Sequence, residues 1–247
     1  HKIHLSPTGI QKLNARNPWL FKKDLVPVWE DAPLIVDLLP VVSSRGEILG
    51  WAFPTPEVDT QARVLSFENG KPDVNHLIVQ RIQDAVNLRK RCLDPALNCF
   101  RLVNSEGDFL PGLVAEQYGS IVFVESPLGF WKTCDNFLQQ GFGRLMPESR
   151  LVFSWQPPQE PMDKIEISEH GLRFEITLGK GQKTGHFCDQ RENRRLIHSV
   201  FQGGSVLDLF CYSGGFSLSL AGKAERVLSV DSSSQALALL KRNAELN

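Results

Sequence analysis

The sequence lacks any apolar run that approaches membrane-spanning length, and its start lacks the apolar core of a signal peptide. It also lacks an excess of one charge, with 27 basic and 28 acidic residues. We therefore expect no membrane partner, and any RNA binding must come from local patches. The composition, 42% hydrophobic and 22% charged, is that of a globular protein with room for two or three small domains.

Cysteine is scarce, and its residues are not spaced as metal ligands usually are. Five cysteines occur, none of them in a C-x-x-C arrangement. This argues against a zinc site and against a disulfide framework, and it fits a reducing cytoplasm. We therefore predict no metal, a cytoplasmic location and a role for each cysteine as a small buried hydrophobic residue.

The most informative segment lies near the C-terminal end. An apolar strand containing Asp208 runs into a turn with adjacent glycines, Gly214 and Gly215, and then into a helix start. A second strand, 227–230, ends at Asp231. We predict that the first strand is a buried parallel strand. The order strand, glycine turn, helix, strand and acid is typical of a site for an adenosine-containing cofactor.

Each part of this pattern has a physical use. The glycines lack a Cβ, so the backbone can approach a ligand closely. Free N–H groups at the helix start favour a carboxylate, and Asp231 can accept hydrogen bonds from both hydroxyls of a ribose. The alternative is an ordinary α/β unit with a surface aspartate. There is no G-x-G-x-x-G, so a nicotinamide-dependent oxidoreductase is a poorer hypothesis.

The segment Asp208-Leu-Phe-Cys-Tyr-Ser-Gly-Gly-Phe216, with Val230-Asp231, resembles the cofactor motifs of class I S-adenosylmethionine-dependent methyltransferases. More narrowly, it resembles the RNA methyltransferases with an N-terminal PUA domain that act on cytosine C5 of large-subunit rRNA. Three further blocks resemble that family in its order, at residues 17–21, 107–119 and 181–194. The resemblance spans most of the chain.

The resemblance implies S-adenosyl-L-methionine as cofactor. The residues that would surround its methionine part are Asp208, Tyr212, Ser213, Gly214 and Gly215. Asp231 would hold the ribose, with Ser232 beside it, and three residues of the segment 181–194 would lie against the cofactor. For these three the alternative is a helix start packed on the sheet, with Phe187 in the core. The predicted cofactor site comprises Asp208, Phe210, Tyr212, Ser213, Gly214, Gly215, Asp231, Ser232, Thr184, Phe187 and Gln190.

The same resemblance implies that a cysteine thiolate adds to the cytosine. It places that cysteine, and an Asp-Pro-Pro-like motif that positions the base, beyond Asn247. We therefore predict no catalytic residue in the chain, which we expect to be a catalytically incomplete, inactive part of a parent enzyme. An unfinished sheet would also leave a strand edge open to pairing in a homodimer.

The predicted fold class is α/β plus β, in three parts. Short apolar runs separated by Pro and Gly indicate a PUA-like, RNA-binding β-barrel over residues 1–72. A helical pattern from His76 to about Arg91 and a helix from Trp131 to Phe142, set among strand candidates, indicate a central α+β domain over 73–179. Residues 180–247 would be the first part of a Rossmann-like, cofactor-binding methyltransferase domain.

Basic residues beside the cofactor motif are the predicted RNA contacts, with rRNA as the expected partner. Aromatic residues of the N-terminal part, Trp19, Phe21 and Trp51, could stack on bases, although core packing would account for at least two of them. The leading hypothesis is a methyltransferase for a cytosine C5 of 23S rRNA, and the alternative is a non-catalytic RNA-binding module. The predicted RNA-binding residues are Lys183, Arg191, Arg194 and Arg195.

Overall fold

The computed structural model describes residues 1–28, 37–157, 164–177 and 186–247. The chain divides into two compact units. The first comprises His1–Arg91, Leu102–Ala115 and Val124–Trp155, and the second comprises Cys92–Arg101, Glu116–Phe123 and Gln156–Asn247. None of the helices in the described ranges combines the length and the apolarity needed to cross a membrane.

Thirteen strands and seven α-helices lie within the described ranges. The strands are β1 (Ile3–His4), β2 (Trp19–Leu20), β3 (Leu39–Val42), β4 (Ile48–Pro54), β5 (Ala62–Ser66), β6 (Cys99–Asn104), β7 (Val114–Tyr118), β8 (Ile121–Glu125), β9 (Arg150–Phe153), β10 (Lys164–Glu169), β11 (Leu172–Thr177), β12 (Ser205–Leu209) and β13 (Arg226–Val230). The helices are α1 (Pro7–Asn14), α2 (Val74–Cys92), α3 (Gly129–Thr133), α4 (Asp135–Leu145), α5 (Arg191–Val200), α6 (Gly215–Ala221) and α7 (Ser234–Leu246).

The N-terminal sheet has the strand order β1-β3-β4-β5-β2. The β1–β3 pair is parallel and the other three pairs are antiparallel. Apolar side chains from several strands, among them Ile3, Leu20, Val41 and Val64, form one buried cluster. Alternation of short apolar runs with Pro and Gly therefore predicted this β-rich part correctly.

Helix α1 is an element that the sequence analysis missed. It begins after Ser6, whose hydroxyl accepts a hydrogen bond from the Gly9 amide at 3.2 Å, and Pro7 fills the first helical turn. A serine N-cap followed by proline is a helix-start signal. The signal was present in the sequence, but eight residues give little periodicity to support it.

The middle of the chain confirms the predicted mixture of helix and strand. Strands β6, β7, β8 and β9 form a sheet in sequential order. The helix predicted from Trp131 to Phe142 is two helices, α3 and α4, separated at Cys134. Helix α2 confirms the predicted helical pattern and buries one face, formed by Ile78, Ile82, Ala85 and Val86.

The C-terminal part combines an antiparallel hairpin, β10–β11, with a parallel pair, β12–β13. Helix α7 lies along β11 and supplies side-chain amides to its backbone. The Asn243 side-chain oxygen accepts from the Glu175 amide at 2.7 Å, and that of Asn247 accepts from the Arg173 amide at 2.8 Å. These asparagines satisfy backbone donors of β11 as a neighbouring strand would. Parallel strands with helices confirm the predicted fold class.

The prediction that β12 is a buried strand is wrong for one of its faces. Leu207 and Leu209 are exposed by 59% and 55%. Within the described ranges, α6 covers the opposite face, where Ser217 bonds to Asp208. An apolar run alone does not reveal whether both faces of a strand are covered.

The cysteine prediction also needs correction. Cys99 and Cys188 are joined in a disulfide across 89 residues of sequence, and Cys92 is exposed. Cys188 begins a 3₁₀ turn that leads into α5. Arg191, the first residue of α5, donates to the Cys99 carbonyl at 3.2 Å, and this bond helps to hold the turn against β6. Cysteine spacing could not predict a pair that tertiary contact brings together.

A buried charged cluster joins three segments of the second unit. The Arg194 guanidinium on α5 donates to both Glu169 carboxylate oxygens at 2.6 Å, and His186 Nε2 lies 3.1 Å from the same carboxylate. Burial alone would raise the pKa of Glu169, but the hydrogen bonds from His186 and Arg194 outweigh it and lower that pKa to about 2. Burial lowers the pKa of His186, which keeps the ring neutral at pH 7.

We expect Glu169→Gln to lower the free energy of unfolding by about 3 kcal/mol, because it leaves the buried Arg194 charge without its partner. Urea denaturation at pH 7 would measure this. The control is Glu166→Gln on the same strand, whose ion pair with Arg173 is about half exposed and should be worth less than about 1 kcal/mol. Equal losses in the two variants would contradict a special role for the cluster.

The same pair predicts a pH dependence. The pKa of Glu169 is about 2 in the folded chain, below its ordinary value of 4.5. Its contribution to stability is therefore complete above about pH 4.5 and declines as the pH falls toward 2. Urea midpoints of the unmodified chain and of Glu169→Gln should converge between pH 6 and pH 3. A constant difference over this range would be inconsistent with the lowered pKa.

Candidate functional site

The site is built around the turn between β12 and α6, residues 210–214, which we call the glycine turn. Phe210, Tyr212 and Gly214 take left-handed backbone conformations, with φ of 62°, 48° and 86°. Only glycine adopts this region without cost. At Gly214 space requires it too, because a Cβ would lie 2.8 Å from the Leu240 side chain. The turn therefore has a defined shape that the α7 helix helps to impose.

Asp208 fixes the start of α6. One of its carboxylate oxygens accepts from the Ser217 amide at 3.0 Å and from the Ser217 hydroxyl at 2.6 Å. That hydroxyl lies 2.7 Å from the hydroxyl of Ser229 on β13. Asp208 thus ties β12, β13 and α6 together beneath the glycine turn. Its predicted contact with the methionine part of a cofactor stays a prediction.

Asp231 stands at the end of β13, directly beside the turn. One carboxylate oxygen accepts from the Tyr212 amide at 2.9 Å and the other from the Ser233 amide at 2.8 Å. Hydrogen bonds from Ser233 and Tyr212 lower the pKa of Asp231, so the group is ionised at neutral pH. A carboxylate oxygen can accept more than one hydrogen bond, so both oxygens retain capacity for ligand hydroxyls. Ser232 beside it is exposed.

Phe187 meets the glycine turn, and its predicted contact with the cofactor stays a prediction. Its ring packs edge-to-face on Tyr212, with centroids 5.4 Å apart. Burial, together with the Asp231 charge, raises the pKa of Tyr212 and keeps its hydroxyl protonated. Gln190 precedes α5 and accepts from the Asn193 amide group at 2.9 Å. Thr184 lies outside the described residues.

The other predicted residues of the turn differ in exposure. Phe210 is 88% exposed, whereas Ser213 is buried and its carbonyl accepts from the Asn243 side chain at 3.2 Å. Gly215 begins α6, and a Cβ there would lie 3.3 Å from Arg194. The structure brings these residues together with Asp208, Asp231 and Phe187 at one end of the β12–β13 pair.

The predicted RNA role of Arg194 is wrong. Its side chain is 4% exposed and is held by Glu169 and by the Phe187 carbonyl, at 3.1 Å from the latter. Its guanidinium also lies 5.8 Å from the centre of the Phe216 ring on α6. Arg194 therefore supports the glycine turn through its contacts with Phe187 and with Phe216 on α6. Sequence reasoning took it for a surface charge because its partner lies 25 residues away.

The other residues predicted to contact RNA differ in how exposed their side chains are. Arg191 has an 11% exposed side chain that donates to the Cys99 carbonyl, so most of its surface is covered. Arg195 is 68% exposed and pairs with Glu192 at 3.1 Å. Lys183 lies outside the described residues. Of the three that lie within the described residues, Arg195 keeps the exposure that a phosphate contact needs.

Two of the three free cysteines are poor nucleophiles. Burial, with the nearby charges of Asp208 and Asp231, raises the pKa of the Cys211 thiol. Burial raises the pKa of Cys134 to about 11. Both groups are therefore thiols at neutral pH, whereas a nucleophile must be a thiolate. In the described ranges no three His, Cys, Asp or Glu side chains are arranged to hold a metal ion.

Two family comparisons match the two ends of the chain. Residues 138–247 match the S-adenosylmethionine-dependent methyltransferase family, and residues 3–67 match the PUA-like domain. The first match contains the glycine turn, Asp231 and the Glu169–Arg194 pair. The second covers the N-terminal sheet.

Several relatives of the chain carry the name ribosomal RNA large subunit methyltransferase I. The protein from Vibrio vulnificus strain YJ016 is 31% identical over 94% of the chain and 62% of its own length. That from Shewanella denitrificans is 30% identical over the whole chain and 66% of its own length. The chain thus spans about two thirds or slightly less of the length of these relatives.

Solved structures agree in fold. A protein from Streptococcus mutans, provisionally described as a SAM-dependent methyltransferase, superposes with a TM-score of 0.84 at 23% identity, covering all of this chain and 67% of that one. A further structure, provisionally described as a methyltransferase and bound to SAH, gives 0.86 at 23% identity, covering 100% and 66%. The chain combines a PUA-like domain with an S-adenosylmethionine-dependent methyltransferase domain.

Proposed function

We propose that the chain binds S-adenosyl-L-methionine at the glycine turn and serves an rRNA methyltransferase. The observation that carries this proposal is the Asp231 carboxylate, which is held by the Tyr212 and Ser233 amides beside a left-handed turn. An ionised carboxylate fixed in this way presents two acceptors to a diol. The match to the methyltransferase family supports the same cofactor.

The residues present fit this cofactor. The oxygens of Asp231 would accept the ribose hydroxyls, and the backbone at Gly214 would allow the close approach that a Cβ would block. The amides at the start of α6 that are not bound to Asp208 would face the methionine carboxylate, with Tyr212 beside that part of the cofactor. Phe187 would lie against the cofactor from the entering segment. When bound, the cofactor supplies a methyl group on a sulfonium. The chain's own residues hold and orient it.

We propose large-subunit rRNA as the substrate and cytosine C5 as the target, with action in the cytoplasm where ribosomes assemble. The names of the relatives support the first part, and the four family-like sequence blocks support the second. C5 chemistry needs a thiolate that adds to the base. Cys99 and Cys188 are paired, and Cys134 and Cys211 remain thiols at neutral pH. Cys92 is free and exposed, but it ends helix α2 and is not part of the glycine turn. We therefore infer that these 247 residues do not perform this chemistry alone.

The domain boundaries that we propose remain those of the sequence analysis. Residues 1–72 would serve as the RNA-binding β-domain, 73–179 as the central domain, and 180–247 as the cofactor-binding part. The PUA-like match at residues 3–67 supports the first of these, and the methyltransferase match at 138–247 includes the last and part of the central domain.

We expect Asp231→Asn to weaken SAH binding about tenfold to a hundredfold, because hydrogen bonds to a charged group contribute about 1.5–3 kcal/mol each. Isothermal titration calorimetry of the chain with SAH would measure the dissociation constant. Thermal unfolding without ligand should show a modest loss of stability, because asparagine keeps only one of the two acceptor oxygens that bind the Tyr212 and Ser233 amides.

The matched control for this experiment is Asp59→Asn, the same change at an exposed position in the first unit. We expect it to leave SAH affinity unchanged. If Asp231→Asn bound SAH as tightly as the control, the proposed ribose role of Asp231 would be refuted.

The substrate proposal predicts which product forms. The reading frame that encodes this chain, expressed in full, should transfer labelled methyl groups to unmodified large-subunit rRNA and yield 5-methylcytidine on nucleoside analysis. The 247 residues alone should transfer none. A different methylated nucleoside would contradict cytosine C5, and RNA binding without methyl transfer by the full frame would favour the binding-module alternative.

A further inference from the structure

A strained turn in the first unit displays an aromatic side chain. The 3₁₀ turn Ser105–Asp108 is followed by Phe109, and both Ser105 and Phe109 have left-handed backbones, with φ of 51° and 59°. Bulky residues rarely adopt this region, and strain of this kind tends to occur at functional sites. The Phe109 side chain is 56% exposed, whereas its neighbour Leu110 is buried.

Several polar contacts hold the turn in this shape. The Asp108 carboxylate receives two hydrogen bonds from Arg89, at 2.5 and 2.7 Å, and a third from the Asn104 amide at 2.6 Å. The Ser105 hydroxyl accepts from the Gly112 amide at 2.7 Å. The conformation of Phe109 is therefore imposed by its surroundings rather than by its own preference.

An arginine covers part of Phe109. The Arg81 guanidinium lies 5.9 Å from the centre of the Phe109 ring and donates to the Phe109 carbonyl at 2.5 Å. Burial lowers the pKa of Arg81 to about 10, so the group stays charged at neutral pH. Arg81 and Arg89 are two turns apart on α2, and both contact the same 3₁₀ turn.

A second aromatic–arginine pair is attached to this turn through Glu106. The Trp19 indole donates to the Glu106 carboxylate at 2.8 Å, and the Arg63 guanidinium lies 5.3 Å from the centre of the Trp19 ring. Arg63 also forms an ion pair with Glu106, which balances that negative charge. Trp19 is 42% exposed, whereas Trp51, the other tryptophan considered for stacking, is buried.

We propose that the stacking patch, formed by Trp19, Arg63, Arg81 and Phe109, binds unpaired nucleobases of single-stranded RNA. Aromatic rings and guanidinium planes are the groups on which unpaired bases stack, and the charge of Arg81 adds attraction to the phosphates. The inference rests on the proposed function, since an enzyme that reaches a base carbon must hold RNA with that base unstacked. The patch would serve as an anchor for the neighbouring nucleotides.

The test uses a substitution that removes the Phe109 ring without destabilising the fold. Phe109→Gly removes the ring and also relieves the left-handed strain, so thermal stability should stay equal or rise. Binding of a fluorescein-labelled, twelve-nucleotide single-stranded RNA should weaken about tenfold, since stacking is worth about 1–3 kcal/mol per base. Fluorescence anisotropy at fixed salt measures it, and Phe109→Trp should restore the affinity.

The control is Val28→Ala, which removes another exposed apolar side chain of the first unit and should not change the affinity. The inference is overturned if Phe109→Gly binds the RNA as tightly as the unmodified chain, or if a duplex of the same sequence binds equally well. It is also overturned if the unmodified chain does not bind the single strand. SAH titration of the same preparation then decides the proposed function separately.

Discussion

The ion pair between Arg194 and Glu169 is the interaction on which the cofactor site depends. One guanidinium, 4% exposed, binds the end of the β10 strand, the Phe187 carbonyl and the face of α6 next to Gly215. Burying these two charges is costly unless each is fully partnered. The arrangement is therefore specific, because any displacement of α5 would leave a charge unpaired. It fixes the segment carrying Phe187 relative to the glycine turn.

A few further contacts complete the cofactor site at the glycine turn. Left-handed residues give the turn its shape, and the Tyr212 amide orients Asp231. The Asn243 side chain holds the same turn from the other side, through the Ser213 carbonyl. Buried polar residues on three elements thus determine the position of one exposed carboxylate. That position is what makes binding of a ribose physically reasonable.

Local signals allowed the sequence to predict the elements of the site, but not their supports. Gly214, Gly215 and Asp231 lie within one strand–turn–helix–strand pattern, so their proximity follows from connectivity. The Arg194–Glu169 pair and the Cys99–Cys188 disulfide join residues that are distant along the chain, and composition or spacing carries no information on such contacts. The solvent exposure of the strand residues was the other feature that the sequence could not predict. Leu207 fitted a buried strand, yet 59% of its surface is exposed, because a sequence does not show which face is covered.

The most direct test of the cofactor site is an NMR titration of the ¹⁵N-labelled chain with SAH, following the backbone amides. The site described here predicts saturable shifts that are largest at Tyr212, Gly214, Gly215 and Ser233. Amides of the N-terminal sheet should remain unchanged. Saturable shifts located away from the glycine turn, or no shifts at millimolar SAH, would contradict the assignment of this turn and Asp231 as the cofactor site.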